Sequence, residues 1–183
     1  MPAFSSKTTH LEHGVFVAIL GAGVLIRGPA GIGKSSLALE LLDRGHALIS
    51  DDVVQFEGSA SHNKTVEVEL IGSAPPMLQN LLAVRDIGVL DITEIFSNSA
   101  IIHAHRLDFI IQLDAEPSSN RSDFTDLYEQ TLILGHKVPS QTIFAHPSRN
   151  IALIVETALK NYILCKNGQD AGRKLVVRQQ HYL

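Results

Sequence analysis

The chain has 183 residues, 45% hydrophobic and 19% charged, which is typical of one folded domain and excludes a disordered or collagen-like chain. The formal net charge of −4 argues against a nucleic-acid-binding surface, and the single cysteine excludes an intrachain disulfide, as in a reducing cytoplasm. The longest apolar stretch, residues 15–26, is too short to cross a bilayer, and no signal peptide is visible. We therefore expect a soluble cytoplasmic protein without a membrane partner.

Hydrophobic patterning predicts several strands and one helix in the first half of the chain. Residues 1–10 are polar and are expected to be loose. The predicted strands are residues 15–20, 24–27, 46–50, 53–56 and 65–70. A glycine-rich loop at 28–33 precedes a predicted helix over 34–43, with Gly45 placed as its C-terminal glycine.

The second half alternates less regularly, so we predict an α/β domain with a mixed sheet and flanking helices. The predicted helices are residues 77–84, 91–96 with Asp91 as cap, and 151–161 with Asn150 as cap. The predicted strands are residues 107–113, 131–134 and 138–145, with a buried strand or turn at 87–90. Residues 116–126 read as a mobile loop, and the main domain is expected to cover 11–165, followed by a basic tail over 166–183.

The glycine-rich loop carries a complete G-x-x-x-x-G-K-[ST] pattern between a predicted strand and a predicted helix. Its glycines let backbone N–H groups turn toward phosphate oxygens, and the helix N-terminus adds partial positive charge. The lysine of this pattern can reach the outer phosphates, and the serine hydroxyl can hold Mg²⁺. The sequence therefore predicts an ATP site built by Gly28, Pro29, Ala30, Gly31, Ile32, Gly33, Lys34, Ser35 and Ser36.

Two adjacent carboxylates, Asp51 and Asp52, follow the next predicted strand. If this strand runs parallel to the one before the loop, both ends lie on the same sheet edge, where α/β proteins bind ligands. One carboxylate there suits Mg²⁺, and the second suits a general base. A solvated acidic turn is the alternative reading of this pair.

At this point the residues resemble the catalytic domain of bacterial HPr kinase/phosphorylase. The resemblance rests on the loop motif, on Asp51-Asp52, and on segments around residues 13–15, 70–75, 81–89, 138–143 and 147–150. It covers about residues 10–165 and corresponds to the short form without the additional N-terminal domain. It implies a fold similar to that of phosphoenolpyruvate carboxykinase and a homo-oligomer, a hexamer in family members.

The resemblance also implies an activity and residue roles. The expected reaction is ATP- and Mg²⁺-dependent phosphorylation of a serine of HPr, the small phosphocarrier of the sugar phosphotransferase system, with phosphorolysis as the reverse reaction. Asp51 would be the catalytic base, assisted by His13, and Ser35 and Asp52 would hold the metal. Arg85 and Arg149 would neutralise the phosphoryl group in transfer.

Some positions depart from the family pattern. Ser36 and Ala83 stand where the family usually has acidic residues, and Asp86, His146 and Ser148 also differ. Two further hypotheses therefore stay open beside the HPr kinase: a nucleotide-sensing regulatory protein with impaired catalysis, and a kinase of another substrate on the same fold. His103-x-His105 could form a metal pair, but no third ligand stands nearby, which favours ordinary surface or core histidines.

Overall fold

A computed structural model of the chain describes residues 7–59, 69–117 and 127–181. Within these ranges the chain forms twelve strands and four α-helices. They are β1 (Lys7–His13), β2 (Val15–Ile19), β3 (Ala22–Arg27), α1 (Lys34–Asp43), β4 (Ala47–Ser50), β5 (Val53–Ser59), β6 (Ile71–Ser73), β7 (Leu81–Val84), β8 (Gly88–Asp91), α2 (Ile92–Ile95), β9 (Ala104–Arg106), β10 (Phe109–Asp114), β11 (Glu129–Ile133), β12 (His136–Phe144), α3 (Ile151–Lys166) and α4 (Ala171–Gln180).

The central sheet has six strands in the order β11-β12-β10-β3-β2-β4. Strand β10 pairs in parallel with both β3 and β12. Strand β2 is antiparallel to both β3 and β4, so these two strands run in the same direction although they are not neighbours. The carboxyl ends of β3, β4, β10 and β12 consequently lie along one edge of the sheet.

The two faces of this sheet are covered differently. One face packs against the helices around a core that includes Leu41, Ile111 and Val155. The other face meets a smaller antiparallel sheet, β1-β5-β6-β9, where the rings of Phe16 and Phe56 pack edge to face with centroids 5.5 Å apart. The prediction of a mixed sheet flanked by helices is confirmed, with the smaller sheet as an additional layer.

Helix α1 matches its predicted range of residues 34–43. Its buried stripe of Leu37, Ala38, Leu41 and Leu42 has the helical spacing that packs one face on the sheet. The helix stops because Gly45 adopts φ 89°, and its N–H donates to the carbonyl of Leu42 at 2.9 Å. Because this face of α1 packs on the sheet, the helix holds the end of the preceding loop in a fixed position.

The helix caps predicted for α2 and α3 are present. The side chain of Asp91 accepts from the Thr93 N–H, and that of Asn150 accepts from the Leu153 N–H. Helix α3 extends beyond the predicted residue 161 to Lys166, because the apolar residues that follow continue the helix until Gly168. Among the helices of the described residues, none is long and apolar enough to cross a bilayer.

Several sequence-based predictions are corrected. Residues 77–84, predicted as a helix, form a short 3₁₀ turn and then strand β7, because Asn80 adopts φ 63° and the chain pairs with β8. Strand β8 occupies the predicted position but is largely exposed, since β7 and β8 form a separate two-stranded sheet. The first residues of β1 belong to the segment predicted to be loose. Helix α4 lies in the basic tail, for which no secondary structure was predicted.

Two predictions fall mainly on residues outside the described ranges. The predicted strand over 65–70 lies there except for its last two residues, which are not part of a strand. The predicted loop over 116–126 lies there except for its first two residues. Both stay predictions, the strand for residues 65–68 and the loop for residues 118–126.

A buried carboxylate fastens α3 to the end of α1. Arg44 donates to Glu156 through Nε at 3.0 Å and Nη2 at 2.6 Å, and the Nε2 atom of His46 lies 2.8 Å from the same carboxylate. These contacts hold the pKa of Glu156 at about 2, mainly through Arg44, although burial acts in the opposite direction. The carboxylate therefore stays ionised in the folded state across the physiological range.

We expect Glu156→Gln to lower the free energy of unfolding at pH 7 by about 2 kcal/mol. This loss is smaller than that for breaking a fully buried ion pair, because Arg44 reaches solvent. A folded-state pKa below the unfolded value stabilises the protein at pH above about 4.5, and this contribution is lost as the pH falls toward about 2. Urea unfolding at pH 7 and pH 3 should show a smaller difference between variant and wild type at pH 3. The exposed Glu94→Gln is the control, and a Glu156→Gln effect equal at both pH values would contradict the ion-pair explanation.

Candidate active site

The loop between β3 and α1 lies at the carboxyl edge of the central sheet. Gly28 begins it against β10, where a Cβ atom would stand 2.8 Å from the carbonyl oxygen of Leu113, so only glycine fits. The ammonium group of Lys34 donates to the carbonyl oxygens of Gly28 at 3.0 Å and Pro29 at 3.2 Å. The lysine thus spans the loop from the helix side, with its ammonium group on the first two residues of the loop.

The N-terminus of α1 differs from those of the other three helices. Asp91, Asn150 and Asp170 each cap a helix with a side-chain oxygen, whereas Gly33, with φ 97°, precedes α1 without a side-chain cap. The first N–H groups of a helix have no partner within the helix and require another acceptor. An anion such as a phosphate fits this arrangement, since it accepts from those N–H groups and is favoured by the helix dipole.

Asp51, directly after β4, forms hydrogen bonds to both the loop–helix segment and strand β7. One carboxylate oxygen accepts from the Ser35 hydroxyl at 3.0 Å, and the other accepts from the backbone N–H of Ala83 at 2.9 Å. Asp51 is only 4% exposed. Burial raises the pKa of Asp51, although the hydrogen bonds from Ala83 and Ser35 oppose that shift. A serine hydroxyl beside a strand-end carboxylate is the donor set that holds Mg²⁺ in nucleotide-binding loops of this kind.

Asp52 has a different environment from its neighbour. It is exposed and adopts φ 67°, which turns the chain sharply between β4 and β5. Its carbonyl oxygen accepts from the N–H of Gly14 at 3.0 Å, and His13 pairs with Val53 in the register of β1 and β5. The strand pairing therefore brings His13 beside Asp52, at the solvent side of the site.

The two arginines flank the loop on different sides. The Nη2 atom of Arg85, in the turn after β7, lies 3.6 Å from the position that a Cβ of Gly31 would take, so its guanidinium lies over the loop. Arg149 follows β12, where it donates to the carbonyl oxygen of Phe144 at 2.6 Å and lines a groove with Gly33 and Ser36. The loop, the two aspartates, His13 and the two arginines are thus brought together near the carboxyl edge of the sheet.

The structure adds features that the sequence did not single out. Asp114 ends β10 beside the loop, and its backbone oxygen accepts from the N–H of Ala145 at 2.7 Å. A carboxylate directly after the predicted strand over 107–113 was the available signal for Asp114. The contact from Ala83 to Asp51 is made by the backbone, so no side-chain pattern could have indicated it.

The two histidines considered as a metal pair have different surroundings. His103 is exposed, and the Nδ1 atom of His105 lies 2.8 Å from the carbonyl oxygen of Arg106. In the described part of the chain, no group of three or more histidine, cysteine, aspartate or glutamate side chains could hold a metal ion by itself. Ser35 and Asp51 still suit Mg²⁺, which is commonly held by one or two protein groups together with phosphate oxygens.

The family model of the HPr Serine kinase C-terminal domain matches residues 4–179. The chain is 38% identical over 170 residues to an HPr kinase/phosphorylase of Caldicellulosiruptor bescii, covering 92% of this chain and 53% of that protein. It is 43% identical over 169 residues to an HPr kinase/phosphorylase of Burkholderia lata, covering 92% of this chain and 50% of that protein. The chain therefore spans about half the length of these curated relatives.

A solved structure extends the comparison to the fold. The HPr(Ser) kinase/phosphatase from Coxiella burnetii superposes with a TM-score of 0.75 and 34% sequence identity, covering 91% of this chain and 98% of that chain. The similarity in fold thus extends over nearly the full length of both chains.

Proposed function

The chain belongs to the HPr serine kinase C-terminal domain family, and from this membership we propose that it is an ATP- and Mg²⁺-dependent serine kinase of the phosphocarrier protein HPr. The observation that carries the proposal is the 3.0 Å hydrogen bond between Ser35 and Asp51, which unites the phosphate loop and the strand end in one donor set. We extend the proposal to the reverse reaction, in which inorganic phosphate removes the phosphoryl group from the serine and forms pyrophosphate.

The phosphate loop would bind the nucleotide in this proposal. The uncapped N–H groups of α1 and the Lys34 ammonium would surround the phosphates, and Mg²⁺ bound beside Ser35 would neutralise charge on the outer phosphates. Phosphoryl transfer needs mainly positioning and charge neutralisation, both of which these groups supply. Arg85 over the loop and Arg149 beside Ser36 would add positive charge during transfer.

For the two carboxylates the geometry favours an exchange of the roles expected from the resemblance. Asp51 is buried and both of its oxygens are occupied, one of them by Ser35, which suits the metal side of the site. Asp52 is exposed beside His13 and can meet a protein substrate. We therefore propose Asp52 as the base that takes the serine proton while the serine oxygen bonds to the γ-phosphorus and the bond to the β-phosphate oxygen breaks.

Intact-mass spectrometry of HPr tests the proposal. HPr incubated with this protein, ATP and Mg²⁺ should gain one phosphoryl group on serine, and a Lys34→Ala preparation should add none. Unmodified HPr in the presence of a protein that still binds ATP would contradict the kinase and support a nucleotide sensor or a kinase of another substrate. Adding phosphate to the phosphorylated product and detecting pyrophosphate tests the reverse reaction in the same samples.

The sensor alternative is favoured by one specific position. Ala83 occupies β7 with its backbone N–H on Asp51 and its side chain exposed, so the family's usual acidic side chain is missing close to the metal site. If this loss limits catalysis, Ala83→Glu should raise the rate of phosphoryl transfer about tenfold, as expected for an added charge-assisted contact. Ala83→Gln is the matched control without charge, and equal rates for both variants would contradict a role for the carboxylate.

We propose a homo-oligomer, a hexamer, working in the cytoplasm, where HPr would be available as partner. Light scattering coupled to size-exclusion chromatography should give six times the mass of the 19.9 kDa chain. A monomeric mass under conditions that support activity would contradict the hexamer.

A further inference from the structure

A groove runs from the phosphate loop along the exposed side of α1. One wall is α1 itself, through Ser36, Leu37 and Glu40, and the other is the loop 145–149 between β12 and α3. Its volume is about 420 Å³, and it continues for about another 470 Å³ toward Arg44. A larger groove of about 910 Å³ lies between α3 and α4, but no residue of the phosphate loop lines it.

The order of the strands decides which side of the loop this groove occupies. Asp51 and its contact with Ser35 lie on the side of β2 and β4, whereas β10 and β12 follow on the other side of β3. A triphosphate whose outer phosphates lie beside Ser35 and Asp51 must continue away from them. The groove begins at Gly33 and Ser36 on the side of β10 and β12, so it lies where the rest of the nucleotide would extend.

The walls of the groove combine apolar surface with polar groups, which include Arg149 near the loop and Glu40 and His146 farther along. The residues that would contact a ligand beyond the loop include Ile32, Leu37, Glu40, Leu113, His146 and Ile151. The imidazole of His146 is held in place by Ser148, whose hydroxyl lies 2.7 Å from Nδ1 and whose N–H donates to the same atom at 3.2 Å. Glu40 is exposed one helical turn beyond Ser36, about 6 Å along the helix.

This combination matches the chemistry of a nucleoside. A base is a flat ring that packs on apolar and aromatic surface, and its amino group needs an acceptor such as a carboxylate. Ligand sites commonly show such mostly apolar walls with a few polar groups that fix orientation. We propose that this groove binds the nucleoside half of the nucleotide, with the base beside His146 and its amino group donating to Glu40. The inference rests on the proposed function, since it assumes that the loop binds a nucleoside triphosphate.

Comparing the affinities for ATP and inorganic triphosphate separates the contribution of the groove to binding from that of the loop. Both ligands are titrated by calorimetry in the presence of Mg²⁺ against wild type, Glu40→Gln, His146→Ala and the matched exposed-carboxylate control Glu94→Gln. The ratio of the two dissociation constants removes effects of long-range charge that both ligands share. We expect wild type to prefer ATP, and each groove variant to reduce that preference about tenfold with triphosphate affinity unchanged.

The possible outcomes separate the groove from the loop. Equal affinity of wild type for ATP and triphosphate, or an undiminished ATP preference in both groove variants, would overturn the groove assignment while leaving the phosphate loop in place. Failure of wild type to bind either ligand would overturn the proposed function and the groove assignment with it. A parallel titration with GTP adds a specificity readout, because Glu40→Gln should change the ratio of ATP to GTP affinity if the carboxylate contacts the base.

Discussion

Replacing Lys34 by alanine is expected to weaken the binding of ATP with Mg²⁺ by roughly 100-fold or more, since each charge-assisted hydrogen bond to phosphate contributes about 1.5–3 kcal/mol. The ammonium group is already positioned over the loop by the carbonyl oxygens of Gly28 and Pro29. Little reorganisation is therefore needed before it meets the outer phosphates. Calorimetric titration of ATP and of inorganic triphosphate into the variant measures the loss for the phosphates alone.

The matched control for this substitution is Lys160→Ala, which removes an exposed lysine from α3. Its nucleotide affinity should equal that of wild type. Circular dichroism before titration establishes that Lys34→Ala is folded, because the lysine also bridges two carbonyl groups of the loop. Wild-type affinity in a folded Lys34→Ala protein would contradict the assignment of residues 28–36 as the phosphate site.

Substitutions of the two neighbouring aspartates are expected to impair different steps of the reaction. Asp52→Asn should slow phosphoryl transfer to HPr by about 10²–10⁴-fold, the usual contribution of a general base, with ATP affinity close to that of wild type. Asp51→Asn should instead reduce ATP affinity in the presence of Mg²⁺ and leave the affinity measured in EDTA unchanged. Single-turnover rates and titrations with and without Mg²⁺ provide both readouts.

The pair of variants serves as its own internal control, because the two side chains are adjacent and of equal size. If Asp51→Asn binds ATP normally and fails in transfer while Asp52→Asn remains active, the base is Asp51, as the resemblance alone suggested. A Mg²⁺-independent defect in Asp51→Asn would argue that its contacts with Ser35 and Ala83 serve the structure only.

Short sequence patterns correctly predicted those elements whose structure depends on contacts between residues close together in the chain. The range of α1 follows from the spacing of Leu37 and Leu41 and from Gly45, all of which lie within the helix or directly after it. The caps at Asp91 and Asn150 were predictable for the same reason, since a cap contacts N–H groups three or fewer residues away. In the site, the loop motif and the acidic pair could be recognised because each is a contiguous segment.

The features that the sequence did not predict depend on pairing between strands that are distant in the chain. Residues 77–84 have an apolar composition that also suits a helix, and their strand conformation comes from pairing with β8. The insertion of β2 between β3 and β4 cannot be deduced from either strand, although their common direction was expected. The groove along α1 requires the loop after β12 to lie opposite Glu40, which depends on the parallel pairing of β10 with both β3 and β12.

The hydrogen bond from residue 83 to Asp51 bears on how such a site can diverge between related proteins. Every non-proline amino acid supplies the same backbone N–H, so substitution at position 83 leaves the donor to Asp51 in place. The outward side chain is then open to variation by drift or selection without displacing the carboxylate that Ser35 contacts. Under the proposed function, a single codon at position 83 thus sets the charge beside the phosphate loop, while Asp51 keeps its backbone donor.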